Sequence, residues 1–204
     1  MSAPSRLRRV LPAFAAFVCG LVLVLGGIVY FAGRSALPVG PAVAAVGGPF
    51  QLEDQNGKPF SDRDMKGRPF LVFFGFTHCP DVCPLELFKM AQVVKRLGVT
   101  AAKVRVLFIS LDPERDTPEL LKSYVAHFDP HFVGLTGSTA DVNAAASSFS
   151  VQFAKVPQGK DYTVDHSTGT YVLDKTGRLR LAGTLQSSID DWVHDLRMLA
   201  AVQP

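Results

Sequence analysis

Two cysteines separated by three residues, Cys79 and Cys83, are the side chains of this sequence best suited to chemistry. They lie in FFGFTHCPDVCPLEL, where an apolar run is followed by a turn that contains two prolines. Cysteine thiolates bind soft metal ions and attack disulfides, and two nearby thiols can also form a stabilising disulfide. The spacing is compatible with all three. A purely stabilising bridge is disfavoured, because closing so small a loop would restrict the unfolded chain little.

The residues around the cysteines predict a strand, a loop and a helix. RPFLVFFGF, residues 68–76, is a continuous apolar run typical of a central strand covered on both faces. Pro84 suits the first position of a helix, which would make Cys83 the N-cap and Glu86 the acid at the third position. Both sulfurs would then lie near the positive end of the helix dipole, which favours the thiolate.

His166 is the candidate for a third metal ligand among the five histidines. TVDHS, residues 163–167, is interpreted as a loop between two strands, and this loop can return to the carboxyl end of the central strand. Two thiolates and an imidazole suit Cu(I), and a fourth ligand would allow Cu(II) or zinc. Copper is favoured over structural zinc, because the remaining cysteine, Cys19, lies in an apolar N-terminal segment.

Alternating strand and helix patterns predict an α/β sandwich around a mixed sheet. PFQLEDQNGKPF, residues 49–60, is typical of an N-terminal hairpin that turns at Asn56 and Gly57. An amphipathic helix follows the cysteines and ends before Gly98. Further strands are predicted at residues 104–112, 132–135, 151–156, 169–173 and 178–182, and further helices at 117–128, 140–148 and 188–200.

The first 32 residues of the chain predict a membrane anchor. Residues 11–32 carry no charge and are long enough to cross a bilayer as one helix. We therefore divide the chain into a cytoplasmic N-terminus (1–10), a transmembrane anchor (11–32), a flexible tether (33–48) and a globular domain (49–204). Arginines before the anchor place the domain outside the cytoplasm, and the short N-terminus favours the bacterial inner membrane with the domain in the periplasm. A cleaved signal peptide is the alternative.

The charge distribution gives no indication of a nucleic-acid partner. The net charge of +3 includes four arginines within the first 34 residues, and no acidic residue precedes Glu53. The remaining 17 basic and 18 acidic residues leave a formal charge of −1. A nearly neutral domain without a basic cluster lacks the electrostatic footprint of a nucleic-acid-binding protein.

Three blocks of the sequence resemble the SCO/SenC family of copper-binding, thioredoxin-like proteins. The blocks are GFTHCPDVCP, ISLDPERDTP and YTVDHSTGTYVLDKTGRL, and the similarity extends from Gly47 to Ala201. The resemblance implies a thioredoxin-like fold and a role in maturing the copper centre of cytochrome c oxidase. It also implies that Cys79, Cys83 and His166 are the copper ligands.

Two aspartates are predicted to support these ligands. The resemblance places Asp112 close to the copper loop, although a turn-capping role is equally compatible with its position. Asp165 is expected either to orient His166 from the second shell of the metal or to hold its loop. The four methionines are scattered, so one copper site is expected.

Three functions compete on this evidence. In the first, a metallochaperone passes copper to the copper-centre subunit of cytochrome c oxidase or exchanges it with other copper chaperones. In the second, a thiol:disulfide oxidoreductase reduces the cysteines of an oxidase subunit or another copper protein and is itself regenerated by a thioredoxin-like reductant. The third, a thiol peroxidase, is disfavoured because Phe76 and Pro80 occupy the positions where a hydroxyl residue is expected.

Overall fold

A computed structural model describes residues 20–21, 23–26 and 46–201. The chain divides into two units, residues 1–43 and residues 44–204. Most of the predicted anchor, the tether up to residue 45 and Cys19 lie outside the described residues. Residues 20–21 and 23–26 are helical, and within the described part of the chain no helix is long and apolar enough to span a bilayer.

The second unit consists of nine strands and four α-helices within its described residues. The strands are β1 (Gln51–Asp54), β2 (Pro59–Ser61), β3 (Phe70–Gly75), β4 (Arg105–Ser110), β5 (Val133–Thr136), β6 (Phe153–Gln158), β7 (Asp161–His166), β8 (Thr170–Leu173) and β9 (Leu179–Gly183). The helices are α1 (Val82–Leu97), α2 (Pro118–Ala126), α3 (Thr139–Ser148) and α4 (Ile189–Ala201), with short 3-10 helices at Asp62–Met65 and Gly98–Lys103.

Seven strands form one mixed sheet, in the order β2-β1-β5-β4-β3-β8-β9. The three central strands β5, β4 and β3 are parallel, whereas β1 and β8 pair antiparallel with their neighbours. The predicted mixed sheet of an α/β sandwich is therefore confirmed. The strands β6 and β7 pair only with each other and form a separate hairpin.

The strand β3 is the centre of the hydrophobic core, as its composition predicts. All six of its residues are buried, and the cysteines follow its carboxyl end. The helix α1 packs against α4, and its buried face includes Leu87, Met90 and Leu97. It ends at Leu97, and its C-cap Gly98 has a φ of 60°, a left-handed conformation that glycine adopts without strain.

Local signals also predicted the flanking elements correctly. The N-terminal hairpin turns at Asn56 and Gly57, where Gly57 has a φ of 73°. The helix α2 has Thr117 as its N-cap, and the Thr117 side chain accepts a hydrogen bond from the Leu120 amide. The interpretation of residues 163–167 as a loop was wrong, because residues 161–166 form β7.

Candidate metal centre

The loop after β3 leads into α1 two residues earlier than predicted. Asp81 is the N-cap, and the amide of Leu85 donates the first helical hydrogen bond to the Asp81 carbonyl at 3.3 Å. Cys83 is therefore the second helical residue and Pro84 the third, which corrects the predicted cap. Pro84 is tolerated there because the first amides of a helix have no intrahelical acceptor.

Glu86 also has a different role from the predicted cap. It is 3% exposed, and the Thr170 hydroxyl donates a hydrogen bond to its carboxylate at 2.8 Å. One turn further along α1, Lys89 donates to the Thr184 carbonyl at 2.6 Å. These contacts fasten the cysteine helix to β8 and to the segment that follows β9.

Cys83 is packed tightly against the end of β3. It is fully buried, whereas Cys79 is partly exposed, and both are free thiols. A Cβ atom on Gly75 would lie 2.7 Å from the Cys83 sulfur, so only glycine leaves room for this approach. The Cys83 amide donates a hydrogen bond to the Cys79 sulfur at 3.4 Å, which keeps the two cysteines together.

The two thiols differ in acidity. A hydrogen bond from the Cys83 thiol, reinforced by backbone amides, lowers the pKa of Cys79 to about 5 despite partial burial. The same hydrogen bond and its own burial raise the pKa of Cys83. At neutral pH Cys79 is therefore the accessible thiolate, and Cys83 is its protonated, buried neighbour.

His166 faces this pair from the end of β7. Its Nε2 atom lies 4.0 Å from the Cys83 sulfur, and its ring meets the Phe76 ring edge to face at 6.2 Å between centroids. Its Nδ1 atom lies 3.1 Å from the Ser167 carbonyl oxygen. Because a carbonyl can only accept, this contact assigns the proton to Nδ1 and directs the Nε2 lone pair toward the cysteines.

The spacing of sulfur and nitrogen fits a shared metal ion. With metal–sulfur and metal–nitrogen bonds of about 2.3 and 2.0 Å, two ligands are about 3.7 Å apart at a trigonal angle and about 4.3 Å apart when linear. The observed 4.0 Å between Cys83 and His166 lies within this interval. No group of three potential ligands is already gathered around a metal position in the described residues.

Asp112 follows β4, near the metal centre. The hydrogen bonds of its carboxylate go to neither the cysteines nor His166. The carboxylate is fully buried and accepts hydrogen bonds from Arg115 Nε at 2.5 Å and from the Tyr162 hydroxyl at 2.7 Å. Its amide donates to the Ser110 hydroxyl at 3.0 Å. The structure thus brings Asp112 to the β6–β7 hairpin that carries His166.

In the described part of the chain, the Asp165 carboxylate makes no hydrogen bond to the imidazole of His166. Its side chain is exposed, and the partner recorded for His166 Nδ1 is the Ser167 carbonyl. Neighbouring residues of a strand point to opposite faces, which separates Asp165 from the ligand beside it. The role of Asp165 beside the ligand therefore stays a prediction.

A second buried aspartate, Asp116, was missed by the sequence analysis. Its carboxylate accepts hydrogen bonds from the Thr77 amide at 2.9 Å, the Thr77 hydroxyl at 2.6 Å and the Ser110 hydroxyl at 2.6 Å. Asp116 thereby fixes the loop two residues before Cys79. In the sequence, Asp116 directly precedes the helix start at Thr117 and Pro118, where an aspartate is ordinary. The one signal that could have identified it was its place in the second block, ISLDPERDTP.

The fold and this site define a class of protein. A thioredoxin-like sheet carries a cysteine pair at the start of its first helix, and a histidine from a separate hairpin faces the pair. The model of the SCO1/SenC family matches residues 40–201. The chain belongs to the SCO1/SenC family, which confirms the resemblance.

Individual relatives agree with this assignment. The SCO2-like protein of Rickettsia prowazekii is 43% identical over 136 residues, which are 65% of this chain and 66% of that protein. The chain thus spans just under two thirds of that relative. The structure of Bradyrhizobium japonicum ScoI with copper bound has a TM-score of 0.72 and 46% identity, covering 76% of this chain and 99% of that chain.

A further structure bears on the cysteines. BsSco, a member of the Sco family of cytochrome c oxidase assembly proteins in which a disulfide switch was identified, has a TM-score of 0.64 and 28% identity. The match covers 80% of this chain and 98% of BsSco. The relatives therefore include one that was solved with copper bound and one in which a disulfide switch was identified.

Proposed function

We propose that this protein is a membrane-anchored copper chaperone that binds one copper ion through Cys79, Cys83 and His166. It delivers the ion to the copper-centre subunit of cytochrome c oxidase. The observation that carries the proposal is the 4.0 Å approach of His166 Nε2 to the Cys83 sulfur across 83 residues of sequence. Copper-bound ScoI and the assembly role of the Sco family support the choice of metal and recipient.

The donor set explains how such a protein would hold and release its cargo. Soft thiolates with one imidazole suit Cu(I), and a fourth oxygen or nitrogen ligand would allow Cu(II). Cys79 is partly exposed and His166 is half-buried, so a partner's ligands can reach the ion from outside. Copper would then pass by stepwise ligand exchange, with Cys83 remaining in the core.

We also propose that the protein is anchored in the bacterial inner membrane with its domain in the periplasm. Arg6, Arg8 and Arg9 precede the uncharged run of residues 11–32, and positive residues favour the cytoplasmic side of a membrane span.

Anaerobic titration of the reduced full-length protein with Cu(I) tests the proposal. The parent should bind one equivalent, and both Cys79→Ala and His166→Ala should lose tight binding. The matched control is His131→Ala, which removes a histidine whose side chain is 76% exposed and bonded to Asp129. Copper binding by His166→Ala equal to that of the parent would contradict the ligand assignment.

Thiol:disulfide exchange is the second candidate function, and the unequal acidity of the thiols favours it. The Cys79 thiolate would attack a partner disulfide and release one partner thiolate. The sulfur of Cys83, after losing its proton, would then attack Cys79, releasing the second partner thiolate and closing a Cys79–Cys83 disulfide. Two electrons pass to the partner, and a thioredoxin-like reductant must restore the thiols.

The histidine separates the two candidates. Equilibration of the full-length protein with reduced and oxidised glutathione should show a reversible Cys79–Cys83 disulfide in the parent and in His166→Ala alike. A pair that stays reduced across the whole series of glutathione ratios would contradict the redox function. Copper binding that is lost in His166→Ala while the disulfide equilibrium is kept would show that one cysteine pair serves two separable reactions.

A further inference from the structure

The β6–β7 hairpin holds its position mainly through one face of β7. Side chains alternate along a strand, so Tyr162, Val164 and His166 share a face. Val164 is buried in the core, while every residue of β6 after Phe153 is exposed. Tyr162 and His166 lie about 13 Å apart along the strand, at opposite ends of this face. Whatever holds Tyr162 therefore also positions His166.

Tyr162 is held from three directions. Its hydroxyl donates to the buried Asp112 carboxylate at 2.7 Å, and the Arg115 guanidinium stacks on its ring at 3.8 Å. The Lys155 ammonium lies 4.6 Å from the ring centroid on the hairpin itself. Arg115 also donates to the Tyr162 carbonyl at 3.0 Å and to Asp161 at 3.2 Å. We call Asp112, Arg115 and Tyr162 the tyrosine clamp.

Two members of the tyrosine clamp, Asp112 and Arg115, lie on the loop that also holds the segment before the cysteines. The segment between β4 and α2 presents Asp112 to Tyr162, and four residues later it presents Asp116 to Thr77. Thr77 lies two residues before Cys79. One short loop is thus bonded to the histidine side and to the cysteine side of the metal centre.

We propose that Tyr162 is a positioning residue whose clamp sets the distance between His166 and the two cysteines. This inference rests on the proposed copper function. The buried Asp112 carboxylate gives the clamp a defined place, because it needs both Arg115 and the Tyr162 hydroxyl to satisfy its two oxygens. Without the hydroxyl, β7 stays paired with β6. It loses the hydrogen bond to Asp112, which holds β7 at a fixed distance from the cysteines.

The substitution Tyr162→Phe tests this role in the full-length protein, since it removes the hydroxyl and keeps the ring. We expect the Cu(I) affinity, measured by competition with bicinchoninate, to fall by about tenfold, the lower end of the loss seen for a direct partner of a metal ligand, because Tyr162 acts on His166 only through β7. The paramagnetic resonance spectrum of the Cu(II) form should also change. Tyr171→Phe is the matched control, because it removes a tyrosine hydroxyl from β8 instead of the hairpin.

A second variant guards against a general loss of structure. Arg115→Lys keeps the charge but cannot bridge Asp112 and the Tyr162 carbonyl with a planar fork, so it should weaken copper binding in the same direction. In both variants the alkylation rate of Cys79 at pH 6 should equal that of the parent, because the cysteine side is held by Asp116. A parallel loss of copper binding and cysteine reactivity would indicate general unfolding and overturn the inference.

The outcomes also separate this inference from the proposed function. If the parent binds copper and Tyr162→Phe matches it in affinity and spectrum, the clamp has no positioning role and the copper function stands. If stability falls while affinity and spectrum do not change, the clamp is structural only and the inference is again overturned. A parent that binds no copper overturns the proposed function and this role together.

Discussion

The cysteine segment, residues 76–83, and the β6–β7 hairpin face each other at one centre, but they are attached to the domain differently. The cysteine segment continues a fully buried strand, and Cys83 has no exposed surface. The hairpin pairs only with itself, and most of β6 is exposed. Apolar packing and the buried carboxylate of Asp116 hold the first region, whereas exposed and partly buried polar contacts around Tyr162 hold much of the second.

This difference explains how one cysteine pair could serve two reactions. Disulfide exchange needs only the cysteine segment, which the core keeps in place regardless of the hairpin. In the proposed function, copper binding also needs His166, whose position depends on the hairpin. A protein built in this way can lose its third ligand without disturbing its thiols. The following experiments test the contrast between the two regions.

The largest effect is expected when alanine replaces Asp116 on the cysteine side, compared with Asp161 on the hairpin. Asp116→Ala would leave the buried donors of Thr77 and Ser110 without an acceptor, so we expect a loss of about 3 kcal/mol in the free energy of unfolding. Asp161→Ala removes a carboxylate that is 72% exposed and should cost less than about 1 kcal/mol. Urea unfolding measures both, and equal costs would contradict the contrast.

The next largest difference in stability is expected between alanine substitutions at two glycines, Gly75 and Gly169. Gly75→Ala would place a methyl group 2.7 Å from the Cys83 sulfur and 2.9 Å from Phe108, and overpacking of this kind costs about 1–3 kcal/mol. Gly169→Ala, in the loop after the hairpin, meets no atom closer than 3.7 Å and should change stability by less than about 0.5 kcal/mol. A neutral Gly75→Ala would show that the cysteine segment is loosely packed.

The two thiols should differ in their reaction with iodoacetamide. With a pKa of about 5, Cys79 is mostly thiolate at pH 6, whereas an ordinary thiol with a pKa of about 8.5 is not. We expect Cys79 in the reduced protein to react at least about tenfold faster than Cys83 at this pH, as followed by peptide mass spectrometry. Its rate should fall as the pH drops through 5.

The control for this experiment is Cys83→Ala, which removes the thiol that donates to Cys79. The midpoint of the rate profile for Cys79 should then move upward from about pH 5, because the thiolate loses its hydrogen bond. An unchanged midpoint would assign the acidity of Cys79 to the helix terminus and the backbone amides instead.

The smallest effect concerns the ion pair between the hairpin and the loop after β4. Lys155 and Glu114 lie 2.6 Å apart, but their side chains are 38% and 61% exposed. Glu114→Gln should therefore cost less than about 0.5 kcal/mol, and the cost should shrink further in high salt. A loss above about 1 kcal/mol in urea unfolding would mean that surface charge, and not the tyrosine clamp, fastens the hairpin.

Most predictions from short-range signals agreed with the structure. The continuous apolar run gave the central strand, and Thr117 with Pro118 located the start of α2. The start of α1 was wrong by two residues, because a proline fits the third helical position as well as the first. The strand β7 was missed because DYTVDH has only partial apolar alternation and packs little of itself into the core.

The sequence by itself determined the elements and the reactive residue types, because periodicity, capping and turn chemistry act within a few residues. Through its three blocks it also determined the family. Only the tertiary structure decided that His166 lies beside Cys83. It also decided that Asp112 bonds to the hairpin and that Asp116 bonds to the loop before the cysteines. Those contacts join residues distant in sequence, and their geometry depends on how the sheet, the connecting loop and the hairpin pack together.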